Sequence, residues 1–450
     1  MLWLLEPETT AETAVNTSSR PAAPLLFVES QATEPLTGAD FVDWRDSLES
    51  RCLLVTAPPG SGKSVLSNFV TGHLEELTTK TKSEKVIYYF CNIRVPISER
   101  NAEAVVRALI VQLCQDQGNL IALLPLRFEK DSNAFFAAPL SELWGILSLM
   151  MQKHSYSRVY RIIDGLDVYG GCMVELARKL LSLFGNFKLK APTSRKLLCT
   201  SRPNSDIMEA WEGHLERQLR PTLSDLRTYV ERRIANLKRS NGMMKEAAKL
   251  ALMEDFETSR QPHRVIPTFL WISTAIRKLE QLQTLTPKNI RDEIEGSPRD
   301  LDELYKDMIV TASERAKENA VILAWVIYAE EPLKLEELQE AIAIDPSRIY
   351  ESYDQLDDTR PQLTELSVRQ ILGVILDVVE GRVFVIHQSV QDFVKRTNFL
   401  ESWISPEPRL FIADCCMRYL LLCSAGTQGN PGRREIAGVS LPYPGSSYRI

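Results

Sequence analysis

Lys63 and Ser64 end a glycine-rich run, A-P-P-G-S-G-K-S over residues 57–64, whose residue types suit a phosphate group. Gly60 and Gly62 carry no Cβ, so backbone N–H groups there can close on an anion. The Lys63 ammonium can reach β and γ phosphates, and the Ser64 hydroxyl is a hard oxygen ligand for Mg2+. Gly60, Ser61, Gly62, Lys63, Ser64 and Val65 are therefore read as the nucleotide-binding stretch. Ala57 stands at the first position of the G-x-x-x-x-G-K-S pattern, and Pro58 and Pro59 have no N–H to offer. The cradle must rest on the amides of Gly60 through Ser64. A surface turn that binds nothing is the plain alternative.

Asp164 follows an apolar run and begins D-G-L-D over 164–167. A carboxylate there belongs at the same sheet edge as Ser64, where a P-loop NTPase holds its magnesium. Asp167 can polarise a water for attack on a γ phosphate, or be an acidic turn with no catalytic part. Arg202 follows another apolar run; its guanidinium can report a γ phosphate or simply face solvent. His387 is either a core histidine satisfied by a backbone carbonyl or a contact to a bound diphosphate.

These residues need elements to hold them. Residues 52–56 read as a strand and 65–77 as a helix, so the loop lies in a strand–loop–helix unit with the dipole of the helix N-terminus facing it. Further strands are expected at 86–90, 159–163 and 196–200, with helices at 102–114, 143–151 and 176–184. Alternating strands and helices predict a mostly parallel sheet with ligands at the carboxyl ends of its strands. Phe41, Trp44 and Leu48 share one face of a short helix expected to pack beside the first strand. From about Leu223 strand signals stop, and helices are expected at 226–237, 243–253, 268–282, 301–313, 320–328, 335–344 and 367–375. D-V-V-E-G-R-V-F-V-I-H at 377–387 reads as a hairpin around Glu380 and Gly381, and with a helix at 390–399 it predicts a winged helix.

Composition narrows the classes. In 450 residues, 44% are hydrophobic, enough for several globular domains. A net charge of -6 and the lack of a basic run argue against a nucleic-acid surface, and the hairpin carries only Arg382. The 8 cysteines show no C-x-x-C spacing, which is reduced, intracellular usage, and no apolar run reaches membrane-spanning length. A cytoplasmic protein is expected.

A-P-P-G-S-G-K-S, I-I-D-G-L-D, L-L-C-T-S-R-P, T-F-L-W at 268–271, D-L-D-E-L-Y at 300–305, E-P-L-K-L-E-E-L at 331–338 and I-H-Q-S-V-Q-D-F at 386–393 follow one another in that order. From about Phe41 to Leu400 the chain resembles the NACHT-type STAND NTPases of filamentous fungi, the NOD-like receptor kind with a nephrocystin-like nucleotide domain. The resemblance implies an α/β P-loop NTPase followed by an all-helical domain and a winged helix, closed around a diphosphate and opening to a homo-oligomer when the nucleotide exchanges. It implies phosphate and Mg2+ binding by Lys63 and Ser64, Mg2+ binding by Asp164, a sensor arginine at Arg202 and a resting-state contact from His387. Phe269, Leu270 and Trp271 are taken as helical-domain core. The expected layout is a leader or linker at 1–35, the nucleotide domain at 36–240, the helical domain at 241–315, the winged helix at 316–400, the start of a helical segment at 401–423 and a disordered tail at 424–450.

Val168 stands where these NTPases usually carry an acid, which favours binding over hydrolysis. The effector and repeat domains common in relatives have no counterpart in this layout, which reads as a natural short form or a truncated gene model. The expected function is a switch on a purine nucleotide (ATP/ADP or GTP/GDP with Mg2+), with slow hydrolysis as reset, in fungal non-self recognition or programmed cell death. Related receptors are possible protein partners. The alternative is a hydrolysis-deficient nucleotide-binding scaffold or decoy that modulates full-length relatives. A nucleotide kinase is disfavoured because it needs a substrate lid in place of a winged helix.

Overall fold

The computed structural model describes residues 34–426 except 116, 186–193, 237–241, 259–267, 283–285, 299, 312–315, 349, 351–352, 357–359, 373–374 and 406. Residues 1–33 of the leader expected at 1–35 and residues 427–450 of the tail expected at 424–450 lie outside these. The chain divides into two compact units. The first takes up residues to Ile93, Ser98–Arg232 and Thr268–Leu270, and the second Arg94–Ile97, Arg233–Pro267 and the chain from Trp271 onward.

The first unit is built on five strands, β1 (Arg51–Thr56), β2 (Glu84–Phe90), β3 (Arg158–Asp164), β4 (Ser194–Ser201) and β5 (Leu215–Gln218), in the order β2-β3-β4-β1-β5. Every pairing is parallel. Side chains alternate between the faces, so Leu53 and Val55 enter one core while Cys52 and Leu54 enter the other. Both faces are covered, which is why the central strands read as unbroken apolar runs. On the first face lie the helix Lys63–Thr81 with Leu66, Val70 and Leu74, and the helix Gly38–Asp46 with Phe41 and Trp44. On the other lie the helices Ala102–Cys114, Leu140–Lys153 and Cys172–Gly185.

Three local features depart from expectation. Leu48 is 88% exposed, because the helix ends at Asp46 and Ser47 turns the chain; only Phe41 and Trp44 pack, with the Trp44 indole donating to the Leu197 carbonyl at 3.1 Å. β5 was not anticipated: L-E-R-Q is short and half polar, and its strand form comes from pairing with β1. Glu34 and Leu36, on either side of the leader boundary, bond Gln218 on β5 in both directions at 2.8 Å.

The second unit is helical, with Gly242–Thr258, Pro287–Gly296, Leu301–Thr311 and Ala316–Tyr328 among its helices. Helix Pro287–Gly296 is a further addition to the expected set; it is capped by the Thr286 side chain and has proline in its first turn. The winged helix follows: helices Leu335–Ala343 and Glu365–Leu372, antiparallel β6 (Leu376–Val379) and β7 (Arg382–Val385), and helix Gln388–Thr397. Glu380 (φ 52°) and Gly381 (φ 75°) make the two-residue turn with both φ positive that suits the twist of a hairpin. The helix Pro408–Gly426 carries regular structure past residue 423, into the stretch expected as tail.

Candidate nucleotide-binding site

The order of the sheet decides which residues meet. β1 lies between β4 and β5, and β4 lies between β1 and β3. The loop after β1, Asp164 ending β3 and Thr200 to Arg202 at the end of β4 therefore share one carboxyl edge.

In the loop, Gly60 (φ 75°) and Gly62 (φ 93°) adopt the left-handed backbone that a Cβ disfavours. Ala57 is buried in the sheet core, and its N–H donates to the Ser201 carbonyl at 3.1 Å. Its methyl thus serves as packing at the position where the motif expects glycine. Lys63 folds back across the loop and donates to the carbonyls of Ala57 (2.7 Å) and Pro58 (3.0 Å). Burial pushes the Lys63 ammonium down to about 8; Asp167 and Asp164 pull it upward and Arg202 opposes them. Ser61 is buried, whereas residues Ser64 and Val65 are exposed, Val65 to 65%.

Asp164 is 3% exposed, and its carboxylate is answered by hydroxyls from the two flanking elements. Ser64 Oγ donates to Oδ2 at 2.6 Å, while Ser67 Oγ and Thr200 Oγ1 donate to Oδ1 at 2.8 and 2.6 Å. A buried carboxylate without such donors would cost several kcal/mol. Thr200 Oγ1 also accepts from the Gly165 N–H at 3.0 Å, fixing the turn after β3. Sequence reasoning missed Ser67 and Thr200. Ser67 lies one helical turn beyond Ser64, and Thr200 is a polar residue at the end of a buried strand, but that each meets Asp164 follows only from the order of the sheet.

Asp167 and Arg202 are brought together. The Arg202 backbone N–H donates to Asp167 Oδ1 at 2.9 Å, and its guanidinium Nε pairs with Oδ2 at 3.1 Å. Val168 packs at the margin of the core, and a Cβ on Gly165 would come within 2.8 Å of its Cγ2. Position 168 is thus filled as a packing position.

The first unit also holds Thr268 to Leu270, which corrects the placing of Phe269 and Leu270 in the helical core. A Cβ on Gly60 would come within 2.2 Å of Leu270 Cβ and 3.1 Å of Thr268 Oγ1. Phe269 packs edge-on against Tyr229, with ring centroids 5.2 Å apart. Trp271 is core, as expected; it belongs to the second unit and donates from its indole to the Pro298 carbonyl at 2.7 Å.

His387 belongs to the second unit, where it caps helix Gln388–Thr397. Its Nδ1 accepts the Ser389 N–H at 3.2 Å and lies 2.7 Å from Ser389 Oγ, which lies 2.7 Å from the Tyr305 hydroxyl. The role seen is that of a helix cap.

The first unit's residues fit a phosphate and Mg2+. Ser64 would offer a hydroxyl oxygen and Asp164 a carboxylate oxygen, hard donors of the kind Mg2+ takes, and the two are in direct contact at 2.6 Å. Among the described residues no group of three or more His, Cys, Asp or Glu could hold a metal.

Residues 33–202 match the family described as nephrocystin 3, N-terminal, and residues 305–402 match the GPI inositol-deacylase winged helix domain. The vegetative incompatibility protein HET-E-1 of Podospora anserina is 26% identical over 375 residues, which cover 80% of this chain. The match spans 26% of that relative's length. Among solved structures, a STAND protein with a tetratricopeptide repeat sensor from Pyrococcus horikoshii aligns with 88% of this chain and 50% of its own, at 11% identity and a TM-score of 0.41. The Orc1 protein of Aeropyrum pernix aligns with 81% of this chain and 91% of its own, at 14% identity and a TM-score of 0.37. Both superpositions are too loose to add to the fold. The family matches fall on stretches whose motifs carry the resemblance to NACHT-type STAND NTPases, and with the fungal relative they bear it out.

Proposed function

We propose that this chain, similar to NACHT-type STAND NTPases and to a fungal incompatibility protein, is a nucleotide-operated signalling switch. The observation that carries the reading is the contact of Ser64 Oγ with Asp164 Oδ2 at 2.6 Å, beside a loop whose two positive-φ glycines and lysine suit phosphates. Gly60, Ser61, Gly62, Lys63, Ser64 and Val65 would hold a purine nucleoside di- or triphosphate, and Ser64 and Asp164 would hold its Mg2+. Bound Mg2+ supplies charge neutralisation for the phosphates. Asp167 serves as base and Arg202 as sensor of the terminal phosphate; by the resemblance, His387 serves the diphosphate-bound resting form. Nucleotide exchange then favours an assembled form, in signalling of the kind that ends in non-self recognition or cell death.

Calorimetric titration with ADP, ATP, GDP and GTP in Mg2+ tests this. Wild type should bind one purine series, and Lys63→Ala should weaken binding by roughly tenfold or more, the scale of a lost charge-assisted bond. Equal affinity of wild type and Lys63→Ala would overturn the reading.

A second reading has its own observation. Val168 is a packing residue at the position where an acid is expected, which favours a chain that binds nucleotide without turning it over and modulates longer relatives. Slow phosphate release that disappears in Asp167→Asn marks the switch; no release from wild type marks the scaffold.

A further inference from the structure

Arg202 occupies both oxygens of Asp167, its backbone N–H on Oδ1 at 2.9 Å and its guanidinium on Oδ2 at 3.1 Å. The pair is largely shielded, with side-chain exposures of 22% for Arg202 and 11% for Asp167. Shielding strengthens such a pair relative to one on the open surface. It also means that Asp167 Oδ2, as seen here, is engaged by a cation and is a poor acceptor for a water proton. Lys63 is within Coulomb range of Asp167, Arg202 and Asp164, so two cations and two carboxylates share one edge of the sheet. A terminal phosphate entering this set adds anionic charge, and Arg202 is the cation whose long side chain can change partner while its backbone stays in place.

We propose that Arg202 is a lock on Asp167 that a nucleoside triphosphate releases. With a diphosphate, the guanidinium stays on Oδ2. With a triphosphate, it moves to the terminal phosphate, and Oδ2 becomes a proton acceptor while the Arg202 N–H keeps Oδ1, and so the carboxylate plane, in position. In hydrolysis the water oxygen bonds the terminal phosphorus, the bridging P–O bond breaks with its electron pair going to the diphosphate, and the water proton passes to Oδ2. The same exchange ties triphosphate preference to an ion pair inside the protein, so binding of the third phosphate is weakened by the strength of the Arg202–Asp167 contact. This inference rests on the nucleotide reading above and goes beyond it by naming what Arg202 must leave.

The test is the ratio of affinities for a non-hydrolysable triphosphate analogue and the matching diphosphate, each with Mg2+. Wild type is compared with Asp167→Asn, Arg202→Ala and the double variant. Asp167→Asn should raise the triphosphate-to-diphosphate affinity ratio about tenfold, because Arg202 no longer has a charged partner to leave. Arg202→Ala should lower the ratio by a similar factor, and in the double variant the gain from Asp167→Asn should vanish. Arg202→Lys keeps the charge and should restore part of the ratio, which covers the case in which Arg202→Ala does not fold. If Asp167→Asn raises the ratio equally with and without Arg202, Asp167 acts on the phosphate by its own charge and the lock is overturned. If all variants bind di- and triphosphate with the wild-type ratio, the lock is likewise overturned while the nucleotide reading stands. If wild type binds neither nucleotide, that reading falls as well.

Discussion

Asp164 is a buried carboxylate made tolerable by hydroxyls of Ser64, Ser67 and Thr200, which explains why serine and threonine recur along this edge. Thr200→Val keeps the shape and removes the donor to Asp164 and the acceptor for Gly165. It should lower stability to urea by about 1–3 kcal/mol, and a change below about 0.5 kcal/mol, within the range of a neutral surface change, would show that Thr200 is not needed there. That Ser64 and Asp164 would meet at one sheet edge was legible, because the loop follows one apolar strand and Asp164 ends another. Ser67 and Thr200 were not, because their role depends on which strand lies next to which, and the order β3-β4-β1 is a tertiary fact. His154 shows a further residue effect. It is 9% exposed with no hydrogen bond to either ring nitrogen, and burial, then the charges of Arg195 and Arg161, push it from 6.5 down to about 4. Between those values the unfolded chain binds a proton that the folded chain refuses, so stability falls as pH drops from about 6.5 to about 4. The full effect is on the order of 3 kcal/mol. Comparing urea midpoints of wild type and His154→Leu at pH 7 and pH 5 checks this: the variant should lose less on acidification, and equal losses would contradict the assignment.

At the scale of elements, the loop after β1 is held from outside by Thr268 and Leu270 as well as by its own sequence. Gly60→Ala would place a Cβ 2.2 Å from Leu270 Cβ in a backbone with φ 75°, adding a clash to a strain of about 1 kcal/mol or more. Thermal unfolding should start earlier, and phosphate binding should weaken with it. An unchanged melting curve would mean that Thr268 to Leu270 do not pack on the loop. The hairpin gives the opposite sign. Glu380 holds φ 52° in the β6–β7 turn, a conformation that asparagine accepts more readily than glutamate, so Glu380→Asn should stabilise by up to about 1 kcal/mol. A lower melting temperature would contradict that. The hairpin was legible because Glu-Gly between two alternating runs is a local signal. The face shared by Phe41, Trp44 and Leu48 misled because helical spacing continues on paper past the point where the helix stops. β5 stayed hidden because four half-polar residues become a strand only through β1.

At the scale of the whole molecule, an α/β nucleotide-domain sheet and a winged helix were both readable from the order of apolar runs and motifs, and both match known families. Which segments each unit owns was less so, since Arg94–Ile97 and Thr268–Leu270 are counted with units remote from them in sequence. Among the described residues no helix is long and apolar enough to cross a membrane. A switch of the proposed kind should change assembly with its nucleotide. Light scattering should give a smaller mass with diphosphate than with a non-hydrolysable triphosphate analogue, and equal masses would separate nucleotide binding from assembly. The central claim is that the β1 loop holds a purine nucleotide. Its most direct measurement is to purify the 450-residue chain without added nucleotide, denature it and identify by chromatography what is released. A stoichiometric purine diphosphate, missing from Lys63→Ala, is the predicted result. A folded protein that releases no nucleotide and binds none when titrated would contradict the account.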